Sequence, residues 1–122
     1  MTDLRLSSGG PSGNSTRWRL PNRRFSETFA FECGRFRYTA TISRFSDGKL
    51  AEIFISNHKT GSDADTIAKD SAVVCSLALQ HGVPLETIRR ALLRDPRGTP
   101  SSPLGAALDI IAAERPRWTS GE

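Results

Sequence analysis

The sequence is poor in cysteine and histidine, the residues that most often bind transition metals. Of its 122 residues only two are cysteines, Cys33 and Cys75, and two are histidines, His58 and His81. None of them lies at the short spacing that zinc sites and redox-active thiol pairs require. We therefore expect no metal site and no cofactor. We also expect both thiols to be reduced, as is usual in the cytoplasm.

Long apolar stretches are missing as well. A membrane-spanning helix needs about 18 or more consecutive apolar residues, and no such run occurs in the sequence. The N-terminal residues contain no apolar segment after the first charges, although a secretory signal requires one. These two absences predict a cytoplasmic protein that does not associate with membranes.

The local signatures of common enzymes are also absent. There is no glycine-rich loop ending in Lys-Ser or Lys-Thr, and no Gly-x-Ser-x-Gly elbow. Cys75 lies in the most apolar stretch of a predicted helix, where a thiol resists ionisation. His81 lies at the C-terminal end of that helix, where the helix dipole favours a cation. We assign no catalytic residue and expect that the chain is not an enzyme.

Positive charge is concentrated near the N-terminus. Residues 1–24 contain five arginines and one acidic residue, and this balance of +4 equals the net charge of the whole chain. The same stretch is rich in Ser and Gly and has no apolar period, so we predict a disordered basic arm. The arm either binds an acidic partner such as nucleic acid or only increases solubility. Its candidate nucleic-acid contacts are Arg17, Trp18, Arg19, Arg23 and Arg24, and the alternative for Trp18 is that its indole docks on the domain.

Residues 26–56 alternate between apolar and polar side chains, which is typical of antiparallel strands. In the first predicted strand Phe29 and Phe31 lie on one side. The second strand is predicted to have a buried face with Phe36, Tyr38, Ala40 and Ile42. Its opposite face is predicted to be exposed to water and contains Arg37, Thr39, Thr41 and Ser43. The Asp47-Gly48 pair predicts a two-residue hairpin turn before the third strand. In that strand Ala51, Ile53 and Ile55 lie opposite Leu50, Glu52 and Phe54.

Beyond residue 57 the apolar period becomes that of helices. The first predicted helix is capped by Ser62 or Asp63 and ends at Gly82, and its apolar stripe contains Ile67, Val74 and Ala78 together with Ser71. The second helix starts at Pro84 and ends at Asp95-Pro96. The third helix begins at Ser102-Pro103, and its core-facing residues are predicted to be Leu104, Leu108 and Ile111.

This order of elements predicts a two-layer α+β fold. We expect a three-stranded antiparallel meander followed by three helices packed on one sheet face. The domain is predicted to span residues 25–114, and residues 115–122 are predicted to be a frayed tail.

The loop between the third strand and the first helix is the most site-like stretch. It leads into a helix N-terminus, where free backbone N–H groups attract anions. The alternative is that Asp63 and Asp65, in the first helical turn, already supply negative charge to that terminus. The candidate anion-binding or partner-binding residues are Asn57, His58, Lys59, Thr60, Gly61, Ser62 and Asp63.

The corner at Gly82 has the spacing of a helix-turn-helix motif, in which a glycine makes the turn between two helices. If the corner binds DNA, the contacts to bases and phosphates are Thr87, Arg89, Arg90 and Arg94. However, any tight corner between two helices produces the same pattern, and Pro84-Leu85-Glu86 is a poor start for a recognition helix.

Several segments together resemble the TSCPD domain: FRYTATI at 36–42, DGKLAEIFI at 47–55, KTGSD at 59–63 and LALQHGVP at 77–84. That domain is found near the C-terminus of adenosylcobalamin-dependent ribonucleotide reductases and as small free-standing proteins. The segment SPLGAALD at 102–109 resembles the stretch that follows it. The resemblance implies an accessory module in nucleotide metabolism or a mobile element, of the kind encoded by alphaproteobacteria and their phages.

The resemblance does not imply reductase activity. The reductase needs a large barrel with radical and redox cysteines, and this sequence lacks the Cys-Pro-Asp-Cys type of pair associated with the family name. Only the fold and the loop at 59–63 carry over.

Two functions follow from the sequence as hypotheses. The first is a non-catalytic binding module that engages a protein or nucleotide partner through its polar sheet face and the loop at 59–63. The alternative is a small DNA- or RNA-binding regulator that uses the basic arm and the Gly82 corner. Exposed strands leave room for a homodimer in either case.

Overall fold

The structure is a computed structural model that describes residues 26–114. Within this range the chain forms six elements in the predicted order: β1 (Ser26–Cys33), β2 (Phe36–Arg44), β3 (Leu50–Asn57), α1 (Asp63–Gln80), α2 (Leu85–Ala91) and α3 (Pro103–Ala113). The predicted α+β class is therefore confirmed. The arm at 1–24, with its candidate contacts Arg17, Trp18, Arg19, Arg23 and Arg24, and the tail at 115–122 lie outside the described residues.

The three strands form an antiparallel sheet in the order β1-β2-β3. The turn between β1 and β2 places Gly34 at a φ of 65°, and the turn between β2 and β3 places Gly48 at a φ of 92°. Side chains disfavour this left-handed backbone, whereas glycine adopts it readily. The meander is confirmed, but the predicted two-residue turn at Asp47-Gly48 is wrong. The Phe45 N–H donates to the Lys49 carbonyl at 2.8 Å, so the turn has three residues, Ser46 to Gly48. Asp47 stays at a negative φ, whereas the two-residue turn predicted from Asp-Gly needs a positive φ at both residues.

The pairing between β2 and β3 shifts by one residue near the hairpin. Ser43 lies opposite Glu52, but Arg44 lies opposite Leu50, so Ala51 has no residue directly across from it. A bulge of this kind interrupts the alternation of faces. Leu50 consequently packs in the hydrophobic core, although the uninterrupted pattern places it on the face opposite Ile53.

Two residues of β2 depart from the predicted faces. Phe36 belongs to the apolar row by its position, but its side chain is 55% exposed because it opens the strand beside the Gly34 turn, at the end of that row. Ser43 belongs to the wet face, but it is buried. Its hydroxyl donates to Glu52 Oε2, which is also buried, at 3.3 Å.

The apolar stripe predicted for α1 is wrong. Ile67 and Val74 are 65% and 66% exposed. The buried apolar side chains of α1 are Ala68, Ala72, Cys75 and Leu79, and three of these four are small. Small residues allow the helix to come close to β3, and polar side chains on α1 then reach the backbone of that strand.

Those polar contacts close the outer edge of β3. The hydroxyl of Ser76 accepts the backbone N–H of Ile53 and donates to the Ile53 carbonyl, both at 2.9 Å. A free strand edge exposes such groups to other chains, but here α1 satisfies them. Two further side chains act in the same way, with Gln80 Nε2 donating to Ala51 O at 3.0 Å and Asp65 Oδ1 accepting from Asn57 N at 2.9 Å.

The third helix completes the core, as predicted. Ser102 caps α3, because its hydroxyl accepts the N–H of Gly105 at 3.1 Å. The predicted inward residues Leu104, Leu108 and Ile111 are all buried. None of the helices in residues 26–114 has the length and apolar character that crossing a membrane requires.

The second helix is shorter than predicted and packs against α3. It ends at Ala91, before the predicted stop at Asp95-Pro96, and Pro84 is its N-cap. The chain after it closes a small turn in which the Asp95 carboxylate accepts the N–H groups of Arg97 and Thr99 at 2.8 and 2.9 Å. These local bonds replace the last helical turn that the sequence suggests.

Candidate functional site

The predicted loop at 57–63 is organised around the carboxylate of Asp65, in the first turn of α1. Asp65 Oδ1 accepts the N–H of Asn57 at 2.9 Å, and Asp65 Oδ2 accepts the N–H of Gly61 at 3.0 Å. Lys69 Nζ lies 3.0 Å from Oδ2. The carboxylate thus joins the end of β3, the loop and the helix.

These contacts set the charge state of Asp65. The hydrogen bond from the Asn57 N–H, with those from Gly61 and Lys69, outweighs the effect of burial and lowers the pKa of Asp65 to about 2. Hydrogen bonds to the ionised form favour that form. Asp65 is therefore a carboxylate at neutral pH.

The cap of α1 follows one of the two predicted alternatives. Ser62 is the N-cap, and its hydroxyl accepts the N–H of Asp65 at 3.1 Å and donates to the Lys59 carbonyl at 2.8 Å. The N–H of Lys59 donates to Asn57 Oδ1 at 2.7 Å. The loop therefore satisfies much of its own backbone with its own side chains.

The remaining loop side chains point to solvent. Asn57 is buried, but exposed positions are held by His58, Lys59, Thr60 and Asp63. The Asp65 carboxylate occupies the place at which an external anion would meet the Gly61 N–H. The loop can therefore contact a partner only through its exposed side chains. Sequence reasoning placed Asp65 only in the first helical turn and missed its central role, since its backbone partners depend on how the loop folds back.

The outer face of the sheet, opposite the core, adjoins this loop. We use this name for Thr28, Thr39, Thr41, Phe54 and Ser56. Hydroxyl contacts cross the strands here: Thr28 Oγ1 lies 3.2 Å from Thr41 Oγ1, and Thr39 Oγ1 lies 3.5 Å from His58 Nε2. Phe54, directly opposite Thr41, is 49% exposed. The face combines one accessible aromatic ring with surrounding hydrogen-bonding groups.

The arginines of the predicted helix-turn-helix corner are engaged within the domain. Arg94 donates to both carboxylate oxygens of Asp109 at 2.7 and 2.8 Å, and Arg89 Nε donates to the same carboxylate at 3.1 Å. Arg89 and Arg90 also pair with Glu86, at 2.6 and 3.5 Å. Thr87 is exposed. The corner itself is as predicted, with Gly82 at a φ of 93°.

The charges of this cluster stabilise one another. The hydrogen bond from Arg94, followed by that from Arg89, lowers the pKa of Asp109. The hydrogen bond to Glu86 is the main reason that the pKa of Arg89 is raised, and Asp109 raises the pKa of Arg94. The cluster ties α2 and the turn after it to α3.

An open groove of about 750 Å³ lies between the β2–β3 hairpin, the Gly82 corner and the end of α3. Apolar side chains form most of its surface, including Leu79, Val83 and Ile111. Charged residues of both signs line the groove as well, among them Lys49 and Glu86. No group of three or more His, Cys, Asp or Glu side chains within residues 26–114 is arranged to hold a metal ion.

The thiols differ in environment. Cys75 is buried in the core, and burial raises its pKa to about 11. Burial also raises the pKa of Cys33, which is only partly buried at the end of β1. Neither thiol is poised as a thiolate nucleophile, because a thiolate at neutral pH requires a lowered pKa.

Comparison with known proteins gives the chain a family. It is 40% identical over 70 residues to a vitamin B12-dependent ribonucleotide reductase of Agrobacterium fabrum and 36% identical over 70 residues to one of Bradyrhizobium diazoefficiens. Each match covers 57% of this chain but only 6% of the reductase. No solved structure matches the chain significantly. The model of the TSCPD domain matches residues 14–113, which confirms the resemblance seen in the sequence: this chain belongs to the TSCPD domain family.

Proposed function

We propose that the chain is a non-catalytic binding module and that its partner is a protein of nucleotide metabolism. It binds that partner through the outer face of the sheet, together with the exposed side chains of the loop at 57–63. The observation that carries the proposal is Phe54, whose ring is 49% exposed among Thr39, Thr41 and Ser56. Aromatic side chains surrounded by hydrogen-bonding groups are typical centres of protein interfaces.

The comparisons support the setting of this proposal. In the reductases of Agrobacterium fabrum and Bradyrhizobium diazoefficiens, the similar segment is a small part of a much longer polypeptide. Because that segment shares one chain with the rest of the reductase, the two stay at high effective concentration and have the opportunity for contact. We propose that this chain makes a comparable contact with a separate ribonucleotide reductase polypeptide.

Two other partners are less favoured by the geometry. A nucleotide would place phosphates near the N-terminus of α1, but the carboxylate of Asp65 already accepts the Gly61 N–H there. Duplex DNA would need the arginines of the Gly82 corner, but Asp109 holds both Arg89 and Arg94. Arginines of the segment at 1–24 add electrostatic affinity to the proposed protein contact.

The test uses the Agrobacterium fabrum reductase with its matching 70-residue segment deleted. Binding of the full chain to this protein is measured by isothermal titration calorimetry. We expect the wild-type chain to bind and Phe54→Ser to weaken binding by at least about tenfold, since central aromatic residues carry most interface energy. Leu93→Ser is the matched control, because Leu93 is also an exposed apolar residue, 73% exposed, after α2.

Three outcomes contradict the proposal. One is that the wild-type chain does not bind the truncated reductase. Another is that Phe54→Ser and Leu93→Ser weaken binding equally, which removes the outer face from the interface. The third is that the chain binds duplex DNA with an affinity that falls steeply with salt, which supports the nucleic-acid alternative.

A further inference from the structure

The sheet has two edges, and they differ. At the β3 edge, Ser76 and Gln80 of α1 bond to the outward backbone groups of Ile53 and Ala51. No incoming strand can pair with groups that a helix already satisfies and covers. As residues 26–114 form it, the sheet can therefore be extended only beyond β1.

The hydrogen-bonding pattern shows which groups of β1 point outward. Since Ile53 directs its N–H and carbonyl towards α1, the opposite residue Ile42 directs its own towards β1. Ile42 lies opposite Glu27, so alternate residues from Glu27 onward bond to β2. The outward groups belong to the intervening residues, all of them exposed, which are Ser26, Thr28, Ala30 and Glu32.

We infer that a second copy of this chain pairs with β1, antiparallel and across a two-fold axis at Ala30. The sequence around Ala30 is symmetric in character, because Phe29 and Phe31 flank it. In this register Phe29 of each copy lies opposite Phe31 of the other copy. Ala30 faces its own equivalent, and Thr28 faces Glu32 of the second copy.

The chemistry of both faces suits this register. On the core side, the Phe29 and Phe31 rings are 5.9 Å apart, and Phe31 stacks on Tyr38 at 5.6 Å. Phe29 is only partly buried within one copy. Pairing continues this aromatic row across the axis, which buries more of Phe29 and adds cross-strand aromatic pairs.

On the other side the contacts avoid repulsion. Glu32 is the only charged residue that β1 has on this side, and the register does not place the two Glu32 side chains opposite each other. Glu32 instead meets the Thr28 hydroxyl, which can donate to a carboxylate. A single strand of eight residues forms a small interface, so the dimer is expected to be weak and to depend on concentration.

Light scattering coupled to size-exclusion chromatography tests the inference. The wild-type chain is expected to shift from monomer to dimer as its concentration rises to millimolar. Ala30→Pro removes an outward N–H without removing a bond to β2, and it should be monomeric at the same concentration. Ala30→Ser keeps the N–H and is expected to dimerise like the wild type.

A second measurement does not depend on how well the proline variant folds. In a Cys33→Ser background, Ala30→Cys places two thiols across the axis, within the Cα separation that a disulfide spans. A mild oxidant should convert this variant rapidly to a covalent dimer. Ser26→Cys, on the same edge but opposite Gly34 of the second copy, should cross-link slowly. A monomeric wild type at millimolar concentration, or equal cross-linking at the two positions, overturns the inference.

Discussion

The hydroxyl of Ser76 satisfies both backbone groups of Ile53, each at 2.9 Å. Both residues are buried. A single side chain on a helix thus supplies the two hydrogen bonds that a neighbouring strand would otherwise make to that position. Ser76 therefore matters for stability more than its small size and surface area suggest.

Replacing this hydroxyl tests that conclusion. Ser76→Ala leaves a buried N–H and a buried carbonyl without a partner, which we expect to lower the free energy of unfolding by about 2–4 kcal/mol. Ser71→Ala is the control, because Ser71 is on the same helix and donates only to the Ala68 carbonyl. Urea denaturation followed by circular dichroism measures both. Equal losses for the two variants would show that α1 does not depend on this contact.

Asp65 predicts how stability changes in acid. Its pKa is about 2 in the folded chain against an ordinary value of 3.8, so its stabilising contribution is complete above about pH 4 and is lost as the pH falls towards 2. The melting temperature of the wild type should therefore fall more steeply between pH 4 and pH 2 than above pH 4. Asp65→Asn should have a lower melting temperature than the wild type at pH 7, and its melting temperature should fall less between pH 4 and pH 2. A parallel decline in both proteins would contradict the assignment.

Asp109 separates a structural role of the arginines from a DNA-binding role. Asp109→Asn weakens the pairs that hold Arg89 and Arg94 against α3, so we expect a lower melting temperature and stronger non-specific binding to duplex DNA. Fluorescence anisotropy at several salt concentrations measures the binding. If Arg94→Ala reduces DNA binding of the otherwise wild-type chain, then Arg94 is available to phosphates despite Asp109, and the corner contacts DNA.

The two thiols should react at different rates. Cys33 is partly exposed, whereas Cys75 is buried with a pKa of about 11, and only the thiolate reacts readily. With a disulfide reagent at pH 8 we expect Cys33 to react first and Cys75 to react only as the chain unfolds. Cys33→Ser isolates the slow phase. Rapid labelling of Cys75 in that variant would mean that the core opens locally.

Much of the fold could be predicted because local signals agreed with one another. The alternation in β2, the position of the turn at Gly48 and the Ser102-Pro103 start each depend on neighbouring residues only. The burial predictions that were wrong concern residues whose burial depends on contacts between distant segments. Ile67 and Val74 have helical spacing, but the face of α1 that packs inward is chosen by the need to approach β3, which favours Ala68 and Ala72.

The candidate site shows the same division. The sequence located the loop at 57–63 and limited the cap of α1 to Ser62 or Asp63, because both are local features, and the structure has Ser62. It did not reveal that Asp65 binds the loop backbone or that Asp109 holds Arg89 and Arg94, because those contacts join residues from different elements. Polar residues inside an apolar helical face, such as Ser76 and Gln80, were the available signal for backbone contacts.

The Ser76 contact also alters how β3 exchanges its amide hydrogens with water. The outward amides of an edge strand usually exchange early, because no neighbour protects them. The Ile53 amide is instead buried and bonded to a helix, so its exchange requires α1 to leave the sheet. Because such sub-global openings have their own free energies, deuterium uptake at Ile53 reports the free energy of separating α1 from the sheet in native buffer.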